Sequence, residues 1–244
     1  MVAIAEGIKA SSINLVLAQI PETARNAVTE VTVDMSVPME AIIRKSFPNA
    51  SIVTDRFHVQ QLITEATQEI RLVARRETLK EESKAILLAK KENRIYTPTI
   101  YENGDTEKQL LSRSYHLLFK STSNWTERQK ARADILFKQF PQVQHAYNLS
   151  MMFRNWYETN RNKEEAKKNL QKWYDKVEAE NIEQFVVVAQ TIKAYEDTIL
   201  NYFNNRSTNA SAESFNAKLK GFRALVRGVT DIKFFLFRVG KLYG

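Results

Sequence analysis

Of the side chains able to do chemistry, the carboxylates are the ones whose placement is informative. The chain has no cysteine, which excludes disulfides, thiolate metal sites and cysteine nucleophiles. Its three histidines, His58, His116 and His145, lack zinc-ligand spacing. No glycine-rich phosphate loop or dinucleotide fingerprint is present. Asp34 closes a β-branched run over 28–33, and Asp55 closes another over 51–54. Glu213 lies in Asn209-Ala-Ser-Ala-Glu213-Ser-Phe-Asn216-Ala-Lys218-Leu-Lys220. Helical steps of three and four residues put Glu213, Asn216 and Lys220 on one face, with the small Ala217 beside them leaving room for a ligand. A carboxylate flanked by an amide and an ammonium group suits a hard cation and a phosphate; the same pattern also describes a solvated helix face. His58, which follows strand and turn in Asp55-Arg-Phe-His58, can orient a phosphate or cap the next helix.

These residues need elements to position them. Residues 2–5 form an apolar run closed by Gly7, the pattern of a buried strand. Ser11 or Ser12 can cap a helix carrying Ile13, Val16, Leu17 and Ile20, which Pro21 terminates. A second strand over 28–33 is followed by a helix opening near Pro38, the turn Phe47-Pro-Asn-Ala50 and a third strand over 51–54. Strand, helix, strand, helix, strand in so short a span predicts a parallel sheet. In open parallel sheets, functional groups gather at the carboxyl ends of the strands, where Asp34 and Asp55 both stand. After His58 the spacing is helical almost throughout to residue 204, with a loop over 96–108 and a short break over 160–163. A helix is expected over 210–220, interrupted or bent at Gly221, and a last apolar helix over 232–242.

The chain has 244 residues, 36 Lys+Arg against 28 Asp+Glu and a net charge of +8. That balance favours a polyanionic partner, nucleic acid first. The scarcity of Gly and Pro, 6 and 5 residues, suits long helices. The absence of cysteine is compatible with a reducing, cytoplasmic location. No apolar run reaches the length of a membrane span, and the apolar start has no basic region of the kind that opens a signal peptide. Trp125, Trp156 and Trp173 lie in the helical stretch, where core packing is the expectation rather than base stacking.

Four segments together resemble a known family. Val31-Thr-Val-Asp34-Met-Ser, Phe47-Pro-Asn-Ala50, Asp55-Arg-Phe-His-Val59 and Asn209-Ala-Ser-Ala-Glu213-Ser-Phe-Asn-Ala-Lys218 are similar, in the same order, to the core of DDE transposases from bacterial insertion sequences. The similarity extends to Asn204-Asn-Arg-Ser-Thr and Phe234-Phe-Leu-Phe-Arg238. The resemblance implies an α/β fold with a ribonuclease H-like core and a large all-α insertion. On this reading 1–58 is a partial core, incomplete at its N-terminus, 59–204 the helical insertion and 205–244 the C-terminal core helices carrying the final Glu. It further implies Mg²⁺, for which Mn²⁺ can substitute, held by three acids for phosphodiester cleavage and strand transfer on DNA. Asp34 takes the place of the second acid and Glu213 that of the third; Asp55 is the rival for the second. Arg56, His58, Asn216, Lys218, Lys220, Arg223 and Arg227 are the candidate DNA contacts.

The sequence departs from the family pattern at its start. The family's first Asp belongs to the opening strand of the sheet, and no residue before Met1 supplies it. Glu6 is on the wrong strand to replace it. The expectation is therefore a truncated catalytic region, inactive alone; the alternative is a non-catalytic DNA-binding or regulatory remnant of a transposase. The open sheet edge left by missing strands invites pairing with another chain, a second copy or a full-length transposase.

Overall fold

The structure is a computed structural model that describes residues 9–207, 210–226 and 231–243, leaving out the side chains of 210–213. The expected strand over 2–5 lies outside the described residues, as does the turn at Gly228. The chain forms two compact units, one of Met1–His58 with Tyr195–Gly244, the other of Val59–Ala194.

In the first unit, α1 (Ala10–Leu17) opens after Lys9, with no side-chain hydrogen bond at its cap. Ser11 and Ser12 are therefore inside its first turn and do not cap it. A short helix that periodicity does not reveal, α2 (Glu22–Asn26), follows Pro21, whose fixed φ is ready-made for a helix start. Strand β1 (Glu30–Val33) comes next, two residues later than the β-branched run suggests. Helix α3 (Val37–Ser46) has Pro38 in its first turn, and β2 (Ser51–Thr54) lies parallel to β1. The register runs from Glu30 opposite Ser51 to Val33 opposite Thr54. Val33, Ile43 and Ile52 form the core under this sheet, with Val31 and Phe47 against them. The Arg25 guanidinium donates to the carbonyls of Ile20 and Ser46, both at 3.1 Å, tying the preceding chain to the end of α3.

Helix α4 (Arg56–Lys91) runs 36 residues, about 54 Å. No Gly or Pro falls within it, so nothing in its backbone chemistry stops it. In the second unit it is followed by a loop with a single antiparallel bridge, Ile100 to Thr106, and by α5 (Glu107–Arg113), α6 (Glu127–Gln139), α7 (Pro141–Thr159), α8 (Lys163–Glu180) and α9 (Glu183–Ala194). Short 3-10 turns lie between α5 and α6. The boundaries have local causes. Thr126 and Gln129 form a capping box at α6. Asn162 accepts from the Glu165 N–H at 2.9 Å to start α8, and Asn181, at φ 47°, ends it in the left-handed conformation.

The tryptophans pack as core residues. Trp156 and Trp173 are buried, their indoles donating to the carbonyls of Ala166 at 2.7 Å and Leu149 at 3.0 Å. Trp125 donates to the Leu117 carbonyl at 2.9 Å and packs against Phe137 and Tyr147. Asp105 is fully buried and holds the loop to the helices. It accepts from Arg132 at 2.8 Å and also from Arg113 and Asn103. Burial pushes this carboxyl upward, but the two arginines outweigh it and hold the pKa below its ordinary value.

The chain then returns to the first unit through α10 (Glu196–Leu200), α11 (Tyr202–Asn205), α12 (Ala210–Leu225) and α13 (Ile232–Tyr243). Helix α12 continues through Gly221 without the expected interruption, since flanking helix formers and the packed Phe222 outweigh one glycine. The architecture is mostly helical with a two-stranded parallel sheet among the described residues. No helix among them is long and apolar enough to cross a membrane.

Candidate metal and nucleic-acid site

Parallel pairing aligns the ends of β1 and β2. Asp34 and Asp55 each stand one residue beyond the last register pair, Val33 and Thr54, and the Asp55 N–H donates to the Val33 carbonyl at 2.7 Å. Adjacent parallel strands lie about 4.8 Å apart, so the two aspartates are neighbours at the carboxyl edge of the sheet.

Their environments differ. Asp34 is exposed, and its carbonyl accepts from the Ser36 N–H at 2.9 Å in the turn leading to α3. Asp55 is 2% exposed. One of its carboxylate oxygens accepts from the Phe57 N–H at 3.2 Å, satisfying an orphan donor at the start of α4. The other is buried without a hydrogen bond, 3.9 Å from Nε2 of His58. The capping role weighed for His58 thus falls to Asp55; His58 is inside the first turn, partly exposed and edge-on to the Phe57 ring. Arg56 reaches the Tyr202 hydroxyl at 3.5 Å.

Three residues far along the chain support this edge, and nothing in a single sequence points to them. The Thr54 and Thr198 hydroxyls are 2.7 Å apart. Asn201 donates to the Ile52 carbonyl at 2.8 Å, covering a backbone acceptor of β2. Tyr202 is the partner of Arg56. All come from α10 and α11 or the joint between them, more than 140 residues downstream.

Helix α12 supplies the remaining candidates. Asn216, Lys218, Lys220 and Arg223 are all exposed, while Phe215, Leu219 and Phe222 are partly buried. Phe222 stacks on Phe235 with centroids 5.6 Å apart, and Phe215 meets Tyr243 edge-on, so α12 and α13 pair through their aromatic faces. Arg238 lies over the Phe222 ring at 5.3 Å, a cation–π contact that reinforces the pair. Glu213 sits within α12 by its backbone; its side chain and the whole of Arg227 lie outside the described residues.

The exposed Asp34 carboxylate at the sheet edge suits a hard cation, and beside it one oxygen of the buried Asp55 carboxylate is without a hydrogen bond. Among the described residues no group of three or more His, Cys, Asp or Glu is close enough to hold an ion.

Family membership settles the broader question. A family model for transposases, the DDE type of the ISL3 group, matches residues 1–239. The chain belongs to this transposase family. No curated protein and no solved structure matches it. Membership accounts for the four ordered segments together, since the match spans the β1–β2 edge and α12 alike. It also gives the basic balance of the transposase chain a reason.

Proposed function

We propose that the chain is the catalytic region of a DNA transposase with a ribonuclease H-like core, in which Asp34 and Glu213 are ligands for Mg²⁺ or Mn²⁺. The observation that carries the reading is Asp34 itself: an exposed carboxylate at the carboxyl end of a parallel strand, in the family's order ahead of Glu213. Asp55 is a positioning residue on this reading. Its carboxylate is buried and accepts from the first turn of α4, fixing the end of β2 beside Asp34.

When bound, such an ion activates water or a 3′-hydroxyl and stabilises the leaving oxygen of phosphoryl transfer. The chain's own residues do the rest. Asp34 offers an oxygen donor from a rigid strand end. Lys218, Lys220 and Arg223, exposed on α12, neutralise DNA phosphates, and Asn216 on the same helix offers an amide for a hydrogen bond. Arg56, braced by Tyr202, and His58 face the DNA at the sheet edge, with Arg227 extending the basic series.

On this reading Asp34 and Glu213 are the two acids of the family's three that are assigned in this chain, and two carboxylates alone hold a divalent ion weakly. The chain on its own is therefore proposed to hold DNA without cutting it. The test is incubation of the chain with labelled duplex and Mn²⁺, beside Asp34→Asn, Asp55→Asn and Glu213→Gln. Retention of DNA at low salt by every variant, with cleavage by none, is the expected result. Cleavage that disappears in Glu213→Gln would overturn the inactivity, and absence of DNA retention at low salt would overturn the reading altogether.

A further inference from the structure

Among the described residues, the second unit presents an exposed face along α4. Its buried side chains, among them Ile63, Thr67, Ile70, Arg71, Ala74 and Thr78, follow one side of the helix. The opposite stripe repeats every three and four residues through Glu69, Leu72, Arg76, Leu79, Ser83, Ile86 and Lys90. Leu72 and Leu79 on it are only partly buried, and the others are exposed. Leu72, Leu79 and Ile86 recur at seven-residue intervals on this face, supplying one of the two apolar positions of a helix-pairing heptad, while the polar residues between them can pair by charge.

The two ends of this stripe differ in charge. Towards the N-terminal end, α4 and α9 enclose a groove of about 350 Å³ with Leu62, Val187 and Val188 in its lining and Glu65, Glu69 and Glu183 around it. Val187 is 57% exposed. An acidic groove in a chain of net charge +8 repels DNA and selects a basic, apolar protein surface. The C-terminal end of α4 is such a surface: Ile86 and Leu87 are 45% and 61% exposed, and Lys90 and Lys91 follow them in the last turn.

We propose that a second copy of the chain covers this face, with the two α4 helices antiparallel about a two-fold axis between Leu79 and Lys80. That axis sets Glu69 opposite Lys90, Leu72 opposite Leu87 and Arg76 opposite Ser83. The basic tip of each copy then enters the acidic groove of the other, twice over. A two-fold interface requires one surface to be complementary to itself, and the opposed charges at the ends of one helix meet that condition. Parallel pairing would set Glu69 against Glu69 and Lys90 against Lys90.

Sedimentation equilibrium of the full chain tests the pairing by charge exchange. Glu69→Lys and Lys90→Glu each weaken the dimer about tenfold, and the double variant restores it to within about threefold of wild type. Because the chain has no cysteine, single-cysteine variants test the axis independently. Leu79→Cys alone forms a disulfide-linked dimer on mild oxidation. Lys90→Cys alone does not, since its two copies lie about 30 Å apart, but it cross-links when mixed with Glu69→Cys. A chain that is monomeric at every concentration, a double variant as weak as the single ones, or ready cross-linking of Lys90→Cys to itself would each overturn the proposal.

Discussion

At the residue scale, burial separates Asp105 and Asp55, whose carboxylates are enclosed by the fold, from the exposed Asp34. Asp105 is fully buried between Arg113, Arg132 and Asn103, so Asp105→Asn leaves Arg132 without its charge partner. The expected destabilisation is about 2–4 kcal/mol by denaturant unfolding. The pH dependence follows from the depressed pKa. The contribution is fully present above the ordinary value of 3.8 and disappears as pH falls through the lower folded value. Wild type and variant therefore differ by a constant amount at neutral and mildly acidic pH and converge only in strong acid; convergence already at pH 6 would contradict this. Asp34 and Asp55 are both visible in the sequence, because each ends a β-branched run. Their difference in burial is not, because the enclosure of Asp55 depends on α4 starting at Arg56 and on the end of β1 beside it.

At the element scale, what is legible in the sequence is what local chemistry dictates. Pro38 places the start of α3, the β-branched runs place β1 and β2, and the lack of Gly and Pro in 56–91 allows α4 its length. The break over 160–163 coincides with the Asn162 cap. Other elements have no local signal strong enough. Helix α2 is five residues long, too short for periodicity to mark it. Helices α10 and α11 are placed by Thr198, Asn201 and Tyr202 meeting β2 and Arg56 across long sequence separations. Helices α7 and α8 are joined through the aromatic core, where the Phe153 and Trp173 rings are 4.9 Å apart. Trp173→Ala should cost about 3–5 kcal/mol and lower the thermal midpoint without changing DNA affinity at a temperature where the variant is folded. A DNA-specific loss there would mean that Trp173 is not simply a core residue.

At the scale of the whole molecule, the net charge of +8 predicts a DNA affinity that falls steeply with salt, and on the proposed reading the exposed cations of α12 supply part of that dependence. Replacing Lys218, Lys220 and Arg223 together by Ala should lower the slope of log affinity against log salt by about 2–3, near 0.9 for each phosphate no longer neutralised. An unchanged slope would move the DNA surface elsewhere. Charge alone fixes no chemistry; the proposed chemistry requires Asp34 and Glu213 to be metal ligands and Asp55 to support them. Titration of the full chain with Mn²⁺, followed by the decline of the free-ion electron paramagnetic resonance signal, tests this most directly. Binding should be saturable and should weaken at least about tenfold in Asp34→Asn and Glu213→Gln, each of which removes one charged oxygen ligand. It should persist in a folded Asp55→Asn. Binding that survives Asp34→Asn but disappears in Asp55→Asn would contradict this assignment and give the second acid to Asp55.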